Sequence, residues 1–242
     1  MDALGIDIGG SGIKGAPVDT LTGTLKANRH RVSTPQPSTT EAVIATTAMV
    51  VDFFDWDGPI GVAVPSVVQR GVTKTAANVD ASWIGAPAFD LLAAALGRPV
   101  ALLNDADAAG LAEMRFGVGR GVGGVVVMLT FGTGIGSGLF VDGRLVPNTE
   151  LGHLEMHGMD AEHYAAGRIH EEDGLSFDDW GARVNEYLNY VHRLVWPDLI
   201  IVGGGISKEW DSWSHRLAVP TRVVPAEFRN EAGIVGAALV AS

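Results

Sequence analysis

An internal repeat constrains the fold of this chain more than any single segment. A strand over residues 4–8, a glycine turn at Gly10-Ser11-Gly12, a returning strand over 13–18 and Asp19 recur further on. The second copy is a strand over 126–130, a turn at Gly132-Thr133-Gly134, a strand over 135–141 and Asp142, at an offset of 122 or 123 residues in a chain of 242. A strand–turn–strand unit duplicated at half the chain length, each copy followed by mixed helices and strands, implies two α/β lobes with a cleft between them. The expected division is a smaller N-terminal lobe over 1–103, with the C-terminal helix at about 230–242 packing back on it, and a larger lobe over 104–229.

Periodicity and punctuation fill in the rest. Thr39 or Thr40 caps a helix over 41–54, stopped by Asp57-Gly58-Pro59, and 60–64 reads as a buried strand ended by Pro65. Residues 89–96 form a helix closed by Gly97, 100–103 a strand leading into Asn104-Asp105, and 106–116 a helix. Later, 177–194 is helical, 199–202 is a strand, and 233–240 is a small-residue helix whose Gly233, Gly236, Ala237 and Ala238 allow close backbone packing. The aromatics Trp180, Tyr187, Tyr190 and Trp196 read as core packing or as part of a subunit interface.

Composition narrows the function. Glycine, at 32 residues, is close to twice its usual share of roughly 7%. Without a collagen-like period, these glycines belong in turns and backbone-contact loops. A net charge of -11 argues against wrapping nucleic acid, which needs clustered Lys and Arg. With no Cys there is no disulfide framework, thiol nucleophile or Cys-based zinc site. Residues 121–141 are uncharged and long enough for a bilayer, but seven glycines and a short β-branched run make them two strands around a turn. With no leader-like start either, the expectation is a soluble, cytoplasmic protein that makes no membrane contact.

Five segments can carry chemistry. In the first, Asp7-Ile8-Gly9-Gly10-Ser11-Gly12-Ile13-Lys14, the glycines expose backbone N–H groups to phosphate oxygens. Ser11 and Lys14 add a donor and a charge, and Asp7 can hold a water on phosphate-bound Mg²⁺; a plain hairpin is the other reading. The second, from Thr130 through Gly132, Thr133 and Gly134 to Gly138, offers the same chemistry from the other lobe. In the third, Gly203-Gly204-Gly205, an adenine or further phosphates could lie against bare backbone at a strand end, or the glycines only make a tight turn. In the fourth, Asp105 is sited to accept a hydroxyl proton during phosphoryl transfer, or Asn104-Asp105 is a capping pair. The fifth packs Glu150, His153, Glu155 and His157 into eight residues. On a strand, His153, Glu155 and His157 would share a face as metal ligands; a solvated turn is the alternative.

Together these segments resemble the ROK family of sugar kinases, and within it the polyphosphate/ATP glucokinase branch, over essentially the whole chain. The stretch from Asp7 looks like that branch's first phosphate motif, with Ser11 where Thr is usual. Residues 129–138 look like the second. Asn104-Asp105-Ala106-Asp107 resembles the catalytic Asn-Asp-Ala segment, and Glu150-Leu151-Gly152-His153 the Glu-x-Gly-His sugar-binding turn. Glu162-His163-Tyr164-Ala165-Ala166-Gly167 resembles a further sugar-hydroxyl segment, and Asn78 with Trp83 the sugar-side loop.

The resemblance implies a two-lobe actin-like, hexokinase-like fold built on a duplicated ribonuclease H-like unit. It also implies phosphoryl transfer from polyphosphate and/or ATP to the 6-hydroxyl of glucose. In that role Asp105 is the base, Asn78, Asn104, Glu150, His153 and Glu162 hold the sugar hydroxyls, and Asp7, Gly9, Gly10, Ser11, Gly12, Lys14, Thr130, Gly132, Thr133, Gly134, Gly204 and Gly205 meet the donor with Mg²⁺. The family's Cys-rich zinc motif is missing between His153 and Glu162, so no structural zinc is expected. A homodimer is implied by the resemblance alone. A kinase for mannose, fructose or an N-acetylhexosamine, or a catalytically silent sugar sensor, stays open as an alternative. A polyphosphate donor would need a track of cations, for which Lys14, Arg115, Arg120, Arg144 and Lys208 are candidates by proximity to the motifs.

Overall fold

The structure is a computed structural model describing residues 1–242. It divides into two compact units, Met1–Ala112 with Glu231–Ser242, and Glu113–Asn230.

In the first unit, β1 (Asp2–Ile8) and β2 (Gly12–Asp19) form an antiparallel hairpin in which Asp7 faces Lys14 across the ladder. Two short strands, β3 (Thr24–Leu25) and β4 (His30–Ser33), both pair with β2. Helix α1 (Thr40–Phe53) follows, its first turn capped by the Thr39 hydroxyl, which accepts from Ala42 N at 3.3 Å. β5 (Ile60–Val64) then adds parallel to β1. A small ribbon, β6 (Val68–Gln69) and β7 (Val72–Thr73), leads to α2 (Ala88–Leu96), which Gly97 ends in the left-handed conformation. β8 (Ala101–Asn104) completes the sheet in the order β3-β2-β1-β5-β8 and runs directly into α3 (Asp105–Arg115).

Alternation along β1 sorts the two faces of this sheet. Leu4, Ile6 and Ile8 are fully buried in one core with Ile13, Val43, Val50, Val62, Trp83 and Leu92. Burying each such aliphatic side chain contributes roughly 1.5–3 kcal/mol. Gly5 and Gly61, on the opposite face, receive the C-terminal helix (Ala232–Ala241), every residue of which from Ala232 to Ala238 is buried. The approach is backbone to backbone: a Cβ on Gly5 or Gly61 would overlap the carbonyl of Ile234 or Ala237.

The second unit repeats the plan. β9 (Val125–Phe131) and β10 (Ile135–Val141) make the antiparallel hairpin and β11 (Arg144–Val146) extends it. A two-residue ribbon, β12 (Glu155–Met156) and β13 (Met159–Asp160), precedes the short helices α4 (Glu162–Ala165) and α5 (Gly167–Glu172) and the long α6 (Phe177–Val195). β14 (Leu199–Gly203) pairs parallel to β9, α7 (Trp210–Trp213) follows, and β15 (Arg222–Pro225) pairs parallel to β14. Each unit thus holds an antiparallel hairpin followed by two parallel strands, which accounts for the repeat in the sequence.

Helix α6 buries Trp180, Val184, Tyr187, Leu188 and Val191, a stripe at helical spacing, against Val127, Leu129, Phe131 and Ile200. Trp180 and Tyr187 are therefore core residues and cannot line a subunit interface. Trp196, just past the helix, is 73% exposed.

Candidate active site

In the first unit the glycine turn is closed by Gly9 N donating to Gly12 O at 3.0 Å. It is braced by Thr34 Oγ1 donating to Gly9 O and by Arg31 Nη2 donating to Ser11 O at 2.6 Å. Lys14 Nζ stands 3.0 Å from Asp7 Oδ2, both side chains being mostly buried. A mostly buried pair next to bare backbone N–H groups is a place where a phosphate can replace the carboxylate as partner of the ammonium. Asn78, at φ 62°, lies against Gly10: a Cβ there would sit 3.1 Å from Asn78 O. A residue singled out for the sugar and one singled out for the donor are thus neighbours.

Asn104 ends β8 and caps α3. Its Oδ1 accepts from Ala106 N at 2.8 Å and Asp107 N at 3.0 Å, while Nδ2 donates to Ser66 O at 3.3 Å. The capping reading of Asn104 holds for this 8% exposed side chain. Asp105 follows in the first turn, half-buried, its Oδ1 accepting from Ala106 N at 2.8 Å.

The second unit carries a cluster of acids and an imidazole. Glu150, Leu151, Gly152 and His153 make a short 3₁₀ turn packed on β10, where Leu151 N donates to Ser137 Oγ at 2.9 Å. Gly152 is required there, since a Cβ would overlap the carbonyl of Ile135. His153 Nε2 lies 3.6 Å from Glu150 Oε2, and its Nδ1 lies 2.9 Å from Asp160 Oδ2. The hydrogen bond to Asp160 first, and then the charges of Glu162 and Glu150, raise the His153 pKa against the opposing effect of burial. Burial raises the Glu150 carboxyl; His153 pulls it down and Glu162 pushes it up. Glu162 Oε2 in turn accepts from Ile135 N at 3.3 Å, immediately after Gly132-Thr133-Gly134. In this unit too, a residue singled out for the sugar touches a turn singled out for the donor.

Of the two readings of the fifth segment, the metal face of His153, Glu155 and His157 does not form. The segment is a 3₁₀ turn and a tight ribbon, not one continuous strand, and the reversal at His157 and Gly158, with φ 54° and 75°, turns the second imidazole away. His157 Nε2 pairs with Glu186 Oε1 at 2.8 Å, and the Tyr164 hydroxyl donates to Glu186 Oε2 at 2.9 Å. At the third glycine segment, Gly204 has φ 86° and its Cα lies on the backbone of Phe131, while the Ser207 hydroxyl donates to Gly204 O at 2.7 Å. Of the candidate cations, Lys14 is mostly buried in its pair with Asp7 on the strands flanking a glycine turn; Arg115, Arg120, Arg144 and Lys208 are exposed.

Asp160 and Arg31 were not anticipated from sequence. The signal for Asp160 is the ribbon around His157-Gly158, whose register returns residue 160 to the side of residue 153. Arg31 has a weaker one, a cation opposite Lys14 on an edge strand.

The ROK family model matches residues 3–171. The chain belongs to the ROK family. Polyphosphate glucokinase of Mycobacterium tuberculosis is 53% identical over 237 residues, 98% of this chain and 89% of that one. Among solved structures, the inorganic polyphosphate/ATP-glucomannokinase of Arthrobacter sp. strain KM superposes with TM-score 0.95 at 51% identity, covering 98% of this chain and 97% of that one. A ROK family glucokinase from Streptomyces griseus, in complex with glucose and AMPPNP, gives TM-score 0.85 at 25% identity over 100% and 99%. The mixed α/β architecture is therefore the hexokinase-like, actin-like fold of the ROK sugar kinases.

Proposed function

We propose that this ROK family protein is a sugar kinase that transfers the terminal phosphoryl group of inorganic polyphosphate or ATP to the 6-hydroxyl of glucose. The observation that carries the reading is the hydrogen bond from Ile135 N to Glu162. It couples a carboxylate suited to polyol hydroxyls to the end of a glycine turn suited to phosphates. The identity to polyphosphate glucokinase over nearly the whole chain supports the same donor and acceptor. The likeness to the Arthrobacter glucomannokinase favours mannose as a second acceptor.

In this reading Asp105 takes the proton of the 6-hydroxyl as that oxygen attacks the terminal phosphorus, and the bond to the next bridging oxygen breaks. Glu150, His153, Glu162, Asn78 and Asn104 are assigned to the remaining hydroxyls. Polar groups placed for each hydroxyl discriminate against an analogue lacking one, most strongly at Asn104, the buried member of the set. Gly10, Ser11, Gly12 and Lys14, with Thr130, Thr133 and Gly134, offer N–H groups, hydroxyls and a charge to the donor from turns that Gly9 N and Gly132 N close, and Gly204 and Gly205 offer bare backbone. Asp7 fits Mg²⁺ held through water: one carboxylate beside a phosphate turn matches an ion that keeps most of its waters and arrives with the substrate. When bound, that ion would spread the negative charge of the transferring group. With a cysteine-free chain and Asp160 on Nδ1 of His153, the reading includes no structural zinc.

No helix is long and apolar enough to cross a membrane, which fits a cytoplasmic enzyme with glucose and the donor as its partners. The reading also includes a homodimer, to be checked by light scattering. The activity test is formation of glucose 6-phosphate from glucose with each donor in turn. Product from polyphosphate supports the reading, product from ATP alone restricts the donor, and sugar binding without product would make the protein a sensor.

A further inference from the structure

The edge of the first unit's sheet carries a basic run that belongs to none of the five segments. Between Asp19 and Glu41 the chain has no acid, yet it holds Lys26, Arg29, His30 and Arg31 in a protein of net charge -11. The three cations are exposed. Lys26 and Arg29 line a groove of about 550 Å³ with Leu25, Ala27, Asn28 and Glu231. His30 stacks on Phe53 at 3.8 Å, which holds the run against α1.

The run starts at the phosphate turn. Arg31 holds Ser11 O at 2.6 Å. Its register partner on β2 is Lys14, whose own partner on β1 is Asp7. Paired residues share a sheet face, so one negative and two positive side chains make a row that ends with Arg31 at the edge. From Arg31 the chain covers five residues to Lys26, a reach of at most about 18 Å. Three acids border this path. Asp2 pairs with Lys26, the charge of Asp19 also reaches Lys26, and Glu231 forms part of the groove wall. An exposed pair such as Asp2–Lys26 is worth little, so a polyanion can displace the carboxylate.

We propose that Lys26, Arg29 and Arg31 form a track for the trailing phosphates of an inorganic polyphosphate donor, leading from the first glycine turn along the sheet edge into this groove. The proposal rests on the kinase reading and names where the long donor lies. A repeating anion has no base to be recognised, so a line of cations is the chemistry that holds it. ATP and tripolyphosphate end close to the reacting phosphorus and do not extend along the track.

The test is a Lys26→Ala/Arg29→Ala double variant, with Arg31 left in place because it braces the turn. The KM for long-chain polyphosphate is expected to rise about tenfold. Its dependence on salt should become shallower, because fewer counterions are exchanged. The KM values for glucose, ATP and tripolyphosphate should stay within about twofold, since no track contact is lost for them. An unchanged KM for the long chain, or an equal rise for ATP, overturns the track.

Calorimetric titration with long-chain polyphosphate separates this proposal from the kinase reading. A wild type that binds the polymer and a double variant that does not would support the track even if no glucose is phosphorylated. A wild type that uses ATP but neither uses nor binds the polymer overturns the track and leaves the kinase. Displacement of the polymer by single-stranded RNA at equal charge would make the run a general polyanion surface, and also overturns it.

Discussion

His153 Nδ1 lies 2.9 Å from Asp160 Oδ2, so the imidazole of the turn proposed to bind the sugar is oriented by a carboxylate seven residues further on. The ribbon β12–β13 brings the two together, and Glu186 fastens the tip of that ribbon through His157. Asp160 is thus a positioning residue. Asp160→Ala should raise the glucose KM roughly five- to tenfold, the loss of one hydrogen bond to a charged group, and change kcat less. Asp160→Asn should restore part of the KM because an acceptor remains. Steady-state kinetics with glucose as the varied substrate check this.

The same pair predicts a pH dependence. Asp160, together with Glu150 and Glu162, raises the His153 pKa above its ordinary value near 6.5. A raised histidine stabilises the fold fully below that ordinary value and loses the contribution as pH rises through the shifted one. The stability gap between wild type and Asp160→Asn should therefore be largest in mildly acidic buffer and shrink towards alkaline pH. With both groups half exposed the gap should reach about 1 kcal/mol at most. Thermal melts at several pH values would show it, and a gap that grows with pH would contradict it.

Glu113 is fully buried in the second unit, accepting from Phe228 N at 2.7 Å and Val118 N at 3.2 Å. Glu113→Ala leaves two backbone donors without a partner and should destabilise by about 2–4 kcal/mol, whereas Glu113→Gln keeps one acceptor and should lose less. Burial raises the Glu113 pKa, with Glu227 adding to it and the backbone donors opposing. That contribution is fully present below the ordinary carboxyl value and is lost as pH rises through the shifted one. Urea denaturation of both variants is the measurement.

Gly152→Ala places a methyl on the carbonyl of Ile135 and must displace the turn bearing Glu150 and His153. A shift of that size should lower kcat/KM for glucose by roughly ten- to a hundredfold. Gly61→Ala, by contrast, forces the C-terminal helix off β5 and should destabilise by about 3 kcal/mol or more. The first should be a kinetic defect in a folded protein; the second should show in the melting curve.

The hairpins, the parallel strands and α6 were legible in the sequence because burial imposes a period: the stripe from Trp180 to Val191 and the run over β14 leave one solution each. The small residues of the C-terminal helix announced close packing, and Gly5, Gly61 and Gly236 meet backbone as that composition implies. The stretch from Glu150 to His157 left a strand face of metal ligands open beside a solvated turn, because its alternation of acids and imidazoles has period two. Its backbone instead follows the positive φ values of His157 and Gly158, which propensity does not register. Asp160 and Arg31 were out of reach for a related reason: each acts across a strand pair, and register is a tertiary property.

The central claim is that Asp105, at the start of α3, takes the proton of the sugar's 6-hydroxyl. The direct test is single-turnover phosphorylation of glucose by Asp105→Asn, with glucose affinity measured in parallel. The account predicts that glucose binding stays close to wild type while the rate falls by at least about 10²-fold with every donor. A variant that transfers phosphate at near wild-type rate would contradict it.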